Sequence, residues 1–203
     1  MAYREILKYP NRKLRIKSVP IEDFGDVLLP LINDLYDTLN VAGGVGLSAP
    51  QIGIHKRMIY IACDDFNGFM VNPIIVDSEC LEGVTEGCLS FPGVSDRVAR
   101  YNKISVMYQD MDGEKINVDL SGLAAQVVQH EIEHLNGKLL IDHFSKLKRD
   151  RMAKKVKKVR SEVKAMLEPT EEKPARRVRR NAGLSQKEIK KRKLRKKLNR
   201  KGR

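Results

Sequence analysis

Residues 121–137 read SGLAAQVVQHEIEHLNG. Ser121 stands where a helix N-cap belongs and Gly137 where a helix ends, so the spacing predicts one helix between them. Within it His130 and His134 are four residues apart. On a helix that interval sends both imidazoles off one face, where they can grip a single metal ion, with Glu131 beside them to take a proton from water. A chain that must present this helix face needs other elements packed around it. A helix at 26–40 is predicted from Leu28, Leu31, Ile32, Leu35, Tyr36 and Leu39, with Pro30 in its first turn. KRMIYIAC (56–63) and GFMVNPIIV (68–76) read as strands, and NKISVMYQDMDGEKINVDL (102–120) as a hairpin turning at Asp112-Gly113. The order is α+β, without βαβ repeats.

Charge divides the chain. Its net +13 combines residues 146–203, with 26 Lys and Arg against 6 Asp and Glu, and an acidic body of net −7. No apolar run reaches the length of a membrane span and no signal segment opens the chain, which predicts a soluble, cytoplasmic protein that does not engage a membrane. Three cysteines give no disulfide framework and suit a reducing compartment. Cys63 and Cys80 read as small buried hydrophobes. The expected organisation is a catalytic domain over 1–145, a basic amphipathic helix over 146–168 and a basic, disordered extension over 169–203. The helix carries Met152, Val156, Val159, Val163 and Met166 on one stripe.

Two histidines do not complete a catalytic site. The metalloprotease pattern H-E-x-x-H-x-x-G-x-x-H fails here, because Leu140 occupies its last position and His143 lies three residues too late. Glu162 is the acidic candidate for a ligand on a following helix. A better third ligand is Cys88, in EGCLSFPG (86–93), since a Cys/His/His set leaves one coordination position open. The remaining feature is GVGLSAPQIG (44–53), with three glycines and a proline in ten nearly uncharged residues. Such a segment suits a loop whose backbone passes close to something else.

GVGLSAPQ, EGCLS and QHEIEH, in this order and at these separations, resemble the three signature motifs of the peptide deformylases. The similarity covers about residues 3–150, including YPNRKLR and the DLYDTL helix. The resemblance implies antiparallel sheets wrapped around a central helix carrying the histidines. It implies removal of the N-formyl group from the N-terminal methionine of nascent polypeptides, with release of formate. Cys88, His130 and His134 would hold one divalent metal, natively Fe²⁺, with Zn²⁺, Ni²⁺ or Co²⁺ also able to bind. Glu131 would serve as general base and acid, and Gln51 and the Leu89 backbone N–H would hold the oxyanion. Gly44, Val45, Gly46, Leu47, Glu86 and Val127 would line the substrate pocket, with the substrate lying strand against strand on the loop. Arg100 reads as a surface charge, with an anchor for the substrate chain as the alternative.

The sequence departs from the family in two motif positions and one length. Glu133 replaces an aspartate, Ser48 stands where alanine is commoner, and the stretch from Ile61 to Val71 is short. None of these removes a ligand or the base. In bacterial members a basic C-terminal helix docks on the ribosome, and residues 146–166 look suited to that. The further segment 173–203 either grips ribosomal RNA through phosphate contacts or is a solubilising tail. A metal-dependent peptidase and an RNA-binding protein with a vestigial metal site are the competing readings. The absence of a downstream ligand argues against the first, and the intact Cys88, His130, Glu131 and His134 against the second.

Overall fold

The computed structural model describes residues 3–167. One compact unit runs through Ala165. Five strands form one antiparallel sheet in the order β1-β2-β3-β4-β5. They are β1 (Gly46–Ser48), β2 (Met58–Cys63), β3 (Phe66–Gly87), β4 (Ser95–Gln109) and β5 (Lys115–Ser121). The helices are α1 (Leu29–Ala42), α2 (Gly122–Leu135) and α3 (Lys146–Leu167). The expectation of several antiparallel sheets is met by a single one.

β3 and β4 are the main departures from the sequence reading. Both extend well beyond the predicted runs and pair with each other from Gly87↔Ser95 to Val71↔Gln109. The distal part of β3, VDSECLEGVTEG, is largely exposed. It lacks the apolar alternation that marks a half-buried strand, so pairing with β4 rather than burial holds it. Pro73, which cannot donate to a ladder, sits where the β3–β4 register slips between Val71 and Ile74. Cys80 lies on this exposed stretch and is not buried, contrary to expectation, whereas Cys63 is.

α2 packs against all five strands. Ile59, Ile61, Met70, Ile104 and Val106 of the sheet meet Ala124, Val128, Ile132 and Leu135 of the helix. Ser121 occupies the N-cap position but its side chain makes no capping hydrogen bond. Gly137 does end the helix region with φ of 72°, and a Cβ there would lie 2.5 Å from the Arg15 carbonyl oxygen. α1 covers β1 and β2 through Leu35 and Leu39 against Leu47, Met58 and Tyr60. α3 is anchored by Met152 and Val156, which are buried with Phe91, Val94, Leu139 and Leu140. Val163, two turns further on, is exposed. The extension assigned to 169–203 lies outside the described residues.

Candidate metal centre

Three elements deliver the site. α2 carries His130, Glu131 and His134. Cys88 opens the turn that follows β3, closed by the Phe91 N–H donating to the Cys88 carbonyl at 2.8 Å. The short 3-10 turn Ala49–Ile52, which directly follows β1, brings Gln51. The ligand atoms of Cys88, His130 and His134 all lie within 4.8 Å of one another. Cys88 Sγ is 3.2 Å from His134 Nε2, and the two imidazole rings meet edge to face with centroids 4.9 Å apart. No other cluster of three such ligands occurs among the described residues.

Electrostatics mark the same point. Burial opposes protonation of both histidines. At His130 it is outweighed by Cys88, Glu86 and Glu131, and the pKa is held well above the usual imidazole range. At His134 burial and the charge on His130 act together and hold it well below. Opposite shifts on two neighbouring imidazoles mark a crowded, buried donor cluster, and a divalent cation there would be held by neutral imidazoles and a thiolate, its binding releasing the protons they carry. Nδ1 of His130 faces Glu86 Oε1 at 3.4 Å, an ion-pair separation too long for a good hydrogen bond, which leaves the other ring nitrogen as the donor. Glu131 is buried, and its Oε2 has no hydrogen-bond partner. Burial pushes its carboxyl above the ordinary range, against the pull of His130. A buried carboxylate oxygen without a partner beside two histidines fits a metal centre with its base in place.

Gln51 is locked in orientation. Its Oε1 accepts from the Ser48 N–H and the Ser48 hydroxyl, each at 2.9 Å. Its Nε2 therefore points the other way, 3.3 Å from Ser90 Oγ and 3.7 Å from Cys88 Sγ. The departure from alanine at position 48 thus supplies a second hydrogen bond that fixes the amide.

A cavity of about 790 Å³ opens beside these groups, lined among others by Gly44, Val45, Gly46, Glu86, Leu89 and Val127. Leu47 is not on its wall: its side chain is fully buried in the core under α1. Alternation explains this, since neighbours in β1 point to opposite faces. Gly46 is required by space. A Cβ there would stand 2.4 Å from Val127 Cγ1 and 3.0 Å from Glu131 Oε1.

Arg100 is not a surface charge; it is 3 % exposed. Its guanidinium donates to Glu86 at 2.6 Å and to Glu133 at 2.9 Å. Glu133 also receives Lys138 at 2.5 Å and meets His143 Nε2 at 2.8 Å. Burial alone would raise the Glu133 carboxyl, but Arg100, Lys138 and His143 outweigh it and hold its pKa at about 2. The glutamate that replaces aspartate in the motif is therefore tied into a chain, His143–Glu133–Arg100–Glu86, that ends at His130. His143 is engaged there and not at the centre. Glu162 pairs loosely with Lys158 at 3.8 Å on the surface of α3, so it is no ligand. Lys8 escaped the sequence reading altogether. It lines the cavity and its ammonium donates to the Leu89 carbonyl at 2.6 Å. Only its nearness in sequence to YPNRKLR hinted at a role.

The model of the family described as polypeptide deformylase matches residues 3–150. A peptide deformylase of Azotobacter vinelandii is 41% identical over 162 residues, which span 78% of this chain and 96% of the relative. The crystal structure of a peptide deformylase from Legionella pneumophila is 41% identical and superposes with a TM-score of 0.77, covering 83% of this chain and 100% of that one. A peptide deformylase from Ehrlichia chaffeensis in complex with actinonin is 34% identical with a TM-score of 0.74, covering 78% and 98%. With its fold, its three motifs and nearly the whole length of its relatives matched, the chain belongs to the peptide deformylase family.

Proposed function

We propose that this protein removes the N-formyl group from N-formylmethionyl nascent peptides with Cys88, His130 and His134 holding one divalent metal and Glu131 moving the proton. The observation that carries this reading is the buried Glu131 carboxylate, free at Oε2, next to a converging Cys/His/His set. When bound, the metal supplies Lewis acidity and a water of lowered pKa. Glu131 accepts the proton of the attacking water. The oxygen of the formyl group, as it becomes an oxyanion, is met by the Gln51 amide, which Ser48 aims, and by the Leu89 backbone N–H. Glu131 then delivers its proton to the peptide nitrogen, the C–N bond breaks, and formate and a free amine leave.

β1 is an edge of the sheet. An extended peptide can add to it, with its first side chain in the cavity beside Val45 and Val127. Gly44 and Gly46 let that backbone approach. Fe²⁺ is the proposed native metal, since a mixed thiolate and imidazole set accepts several divalent ions and cellular supply decides among them. The basic run of 26 Lys and Arg from residue 146 onward supports a place at the ribosome, in the cytoplasm. No helix among the described residues is long and apolar enough to cross a membrane.

Substrate choice tests the reading. Metal-loaded protein is expected to release formate from formyl-Met-Ala-Ser and to leave both acetyl-Met-Ala-Ser and internal peptide bonds intact. Cleavage of an internal bond without formate release would favour the peptidase reading instead.

A further inference from the structure

The N-terminal segment touches both sides of the site. The Leu7 N–H donates to the Gln51 carbonyl at 2.8 Å, and the Tyr9 N–H donates to the Ser90 carbonyl at 2.9 Å. Between them the half-buried Lys8 sends its ammonium to the Leu89 carbonyl at 2.6 Å. Three consecutive residues therefore join the loop that carries the Gln51 amide to the turn that carries the Leu89 N–H. From the other side Arg160 of α3 donates to the Tyr9 carbonyl at 3.0 Å. Tyr9 stacks on Phe91, the residue that closes the Cys88 turn, with ring centroids 5.0 Å apart.

We infer that Lys8 is a positioning residue for the reaction: its ammonium clamps the Leu89 carbonyl and so fixes the Cys88–Phe91 turn that presents the Leu89 N–H to the oxyanion. The backbone bonds of Leu7 and Tyr9 hold the ends of the segment, but neither reaches Leu89. A charged donor on a carbonyl makes a stronger hydrogen bond than a neutral one. The site needs that strength, because an oxyanion donor works only when it is held in place before charge develops. Rotation of the Leu89–Ser90 peptide would also disturb Ser90 Oγ, which receives the Gln51 amide at 3.3 Å. Lys8 thus acts on both donors from one carbonyl. It does not touch the reacting atoms, and its effect belongs in the turnover number rather than in peptide affinity.

This inference rests on the deformylase reading, and the experiment separates the two. Lys8→Met, Lys8→Gln and Lys8→Arg are compared with the parent protein on formyl-Met-Ala-Ser, with thermal melting as the check on folding. Misplacing an oriented group by a fraction of an ångström predicts a loss in kcat of about tenfold or more for Lys8→Met, with KM changed less than about twofold. Lys8→Arg restores kcat to within about threefold, because it keeps a cationic donor. Lys8→Gln falls between them and serves in place of the methionine variant should that one not fold. Independently of activity, amide exchange at Phe91, whose N–H closes the turn, speeds up in Lys8→Met. Unchanged kcat, or a loss confined to KM with unaltered exchange at Phe91, overturns the assignment. A parent protein that releases no formate fails the deformylase reading; an active parent with an unaffected Lys8→Met variant fails only this one.

Discussion

Glu131→Gln lowers formate release by about 10³-fold while the protein keeps its metal. The substitution preserves the shape of the side chain, which is 3 % exposed and borders the space that Gly46 leaves open. What it removes is the proton-accepting oxygen. An amide cannot take the proton from water, nor return one to the leaving nitrogen, so both halves of the reaction lose their carrier. Because the three proposed ligands are untouched, metal content by elemental analysis stays near that of the parent. Turnover within tenfold of the parent would mean that another group carries the proton. Loss of metal along with activity would mean that Glu131 belongs to the coordination set.

The second large effect is on stability. Arg100→Met destabilises the protein by about 3–5 kcal/mol, measured by chemical denaturation. Methionine fills the volume of the arginine stem but leaves Glu86 and Glu133, both largely buried, facing each other without the cation between them. The penalty is that of uncompensated buried charge. It is distinct from the small worth of an exposed ion pair, which is about 1 kcal/mol or less. Lys138 and His143 still reach Glu133, and His130 still faces Glu86, so the lower end of the range is expected if they take up the slack. A change below about 1 kcal/mol would show that the network is a solvated cluster after all.

The parts of the site that were legible in the sequence are those whose chemistry depends on local spacing. His130, Glu131 and His134 lie on one helical turn, so their convergence follows from helix geometry. Cys88 and Gln51 come from distant segments: ligand chemistry singles out Cys88 as the missing third donor, whereas Gln51 follows only from the family resemblance. The structure brings both to that turn. Arg100 was misread because its partners, Glu86 and Glu133, stand 14 and 33 residues away. A charge that looks free in sequence is buried by cross-strand and helix contacts that no local pattern encodes. Lys8 failed for the same reason, as its acceptor is a main-chain carbonyl 81 residues on. Leu47 was assigned to the cavity with its neighbours, although strand alternation turns it into the core.

The fold followed the same division. α2 is announced by its cap positions, β2 and β5 by their β-rich apolar runs, and β2 begins and ends close to the predicted run, whereas β1 lies in a segment that reads as a loop. The long β3–β4 hairpin does not, because its outer half is held by backbone pairing and carries polar and charged side chains on both faces. Glu133 shows how a motif departure can be physically sound. The longer side chain meets Arg100, Lys138 and His143, which together hold its carboxyl well below the ordinary range.

On the proposed mechanism, the Cys88, His130 and His134 centre would work through one bound divalent metal. The most direct test is formate release from formyl-Met-Ala-Ser by anaerobically handled protein, stripped with a chelator and then titrated with Fe²⁺. The stripped protein is expected to show no turnover, with recovery that saturates at one equivalent of metal per chain. Full turnover without metal, or recovery that continues well past one equivalent, would contradict that mechanism.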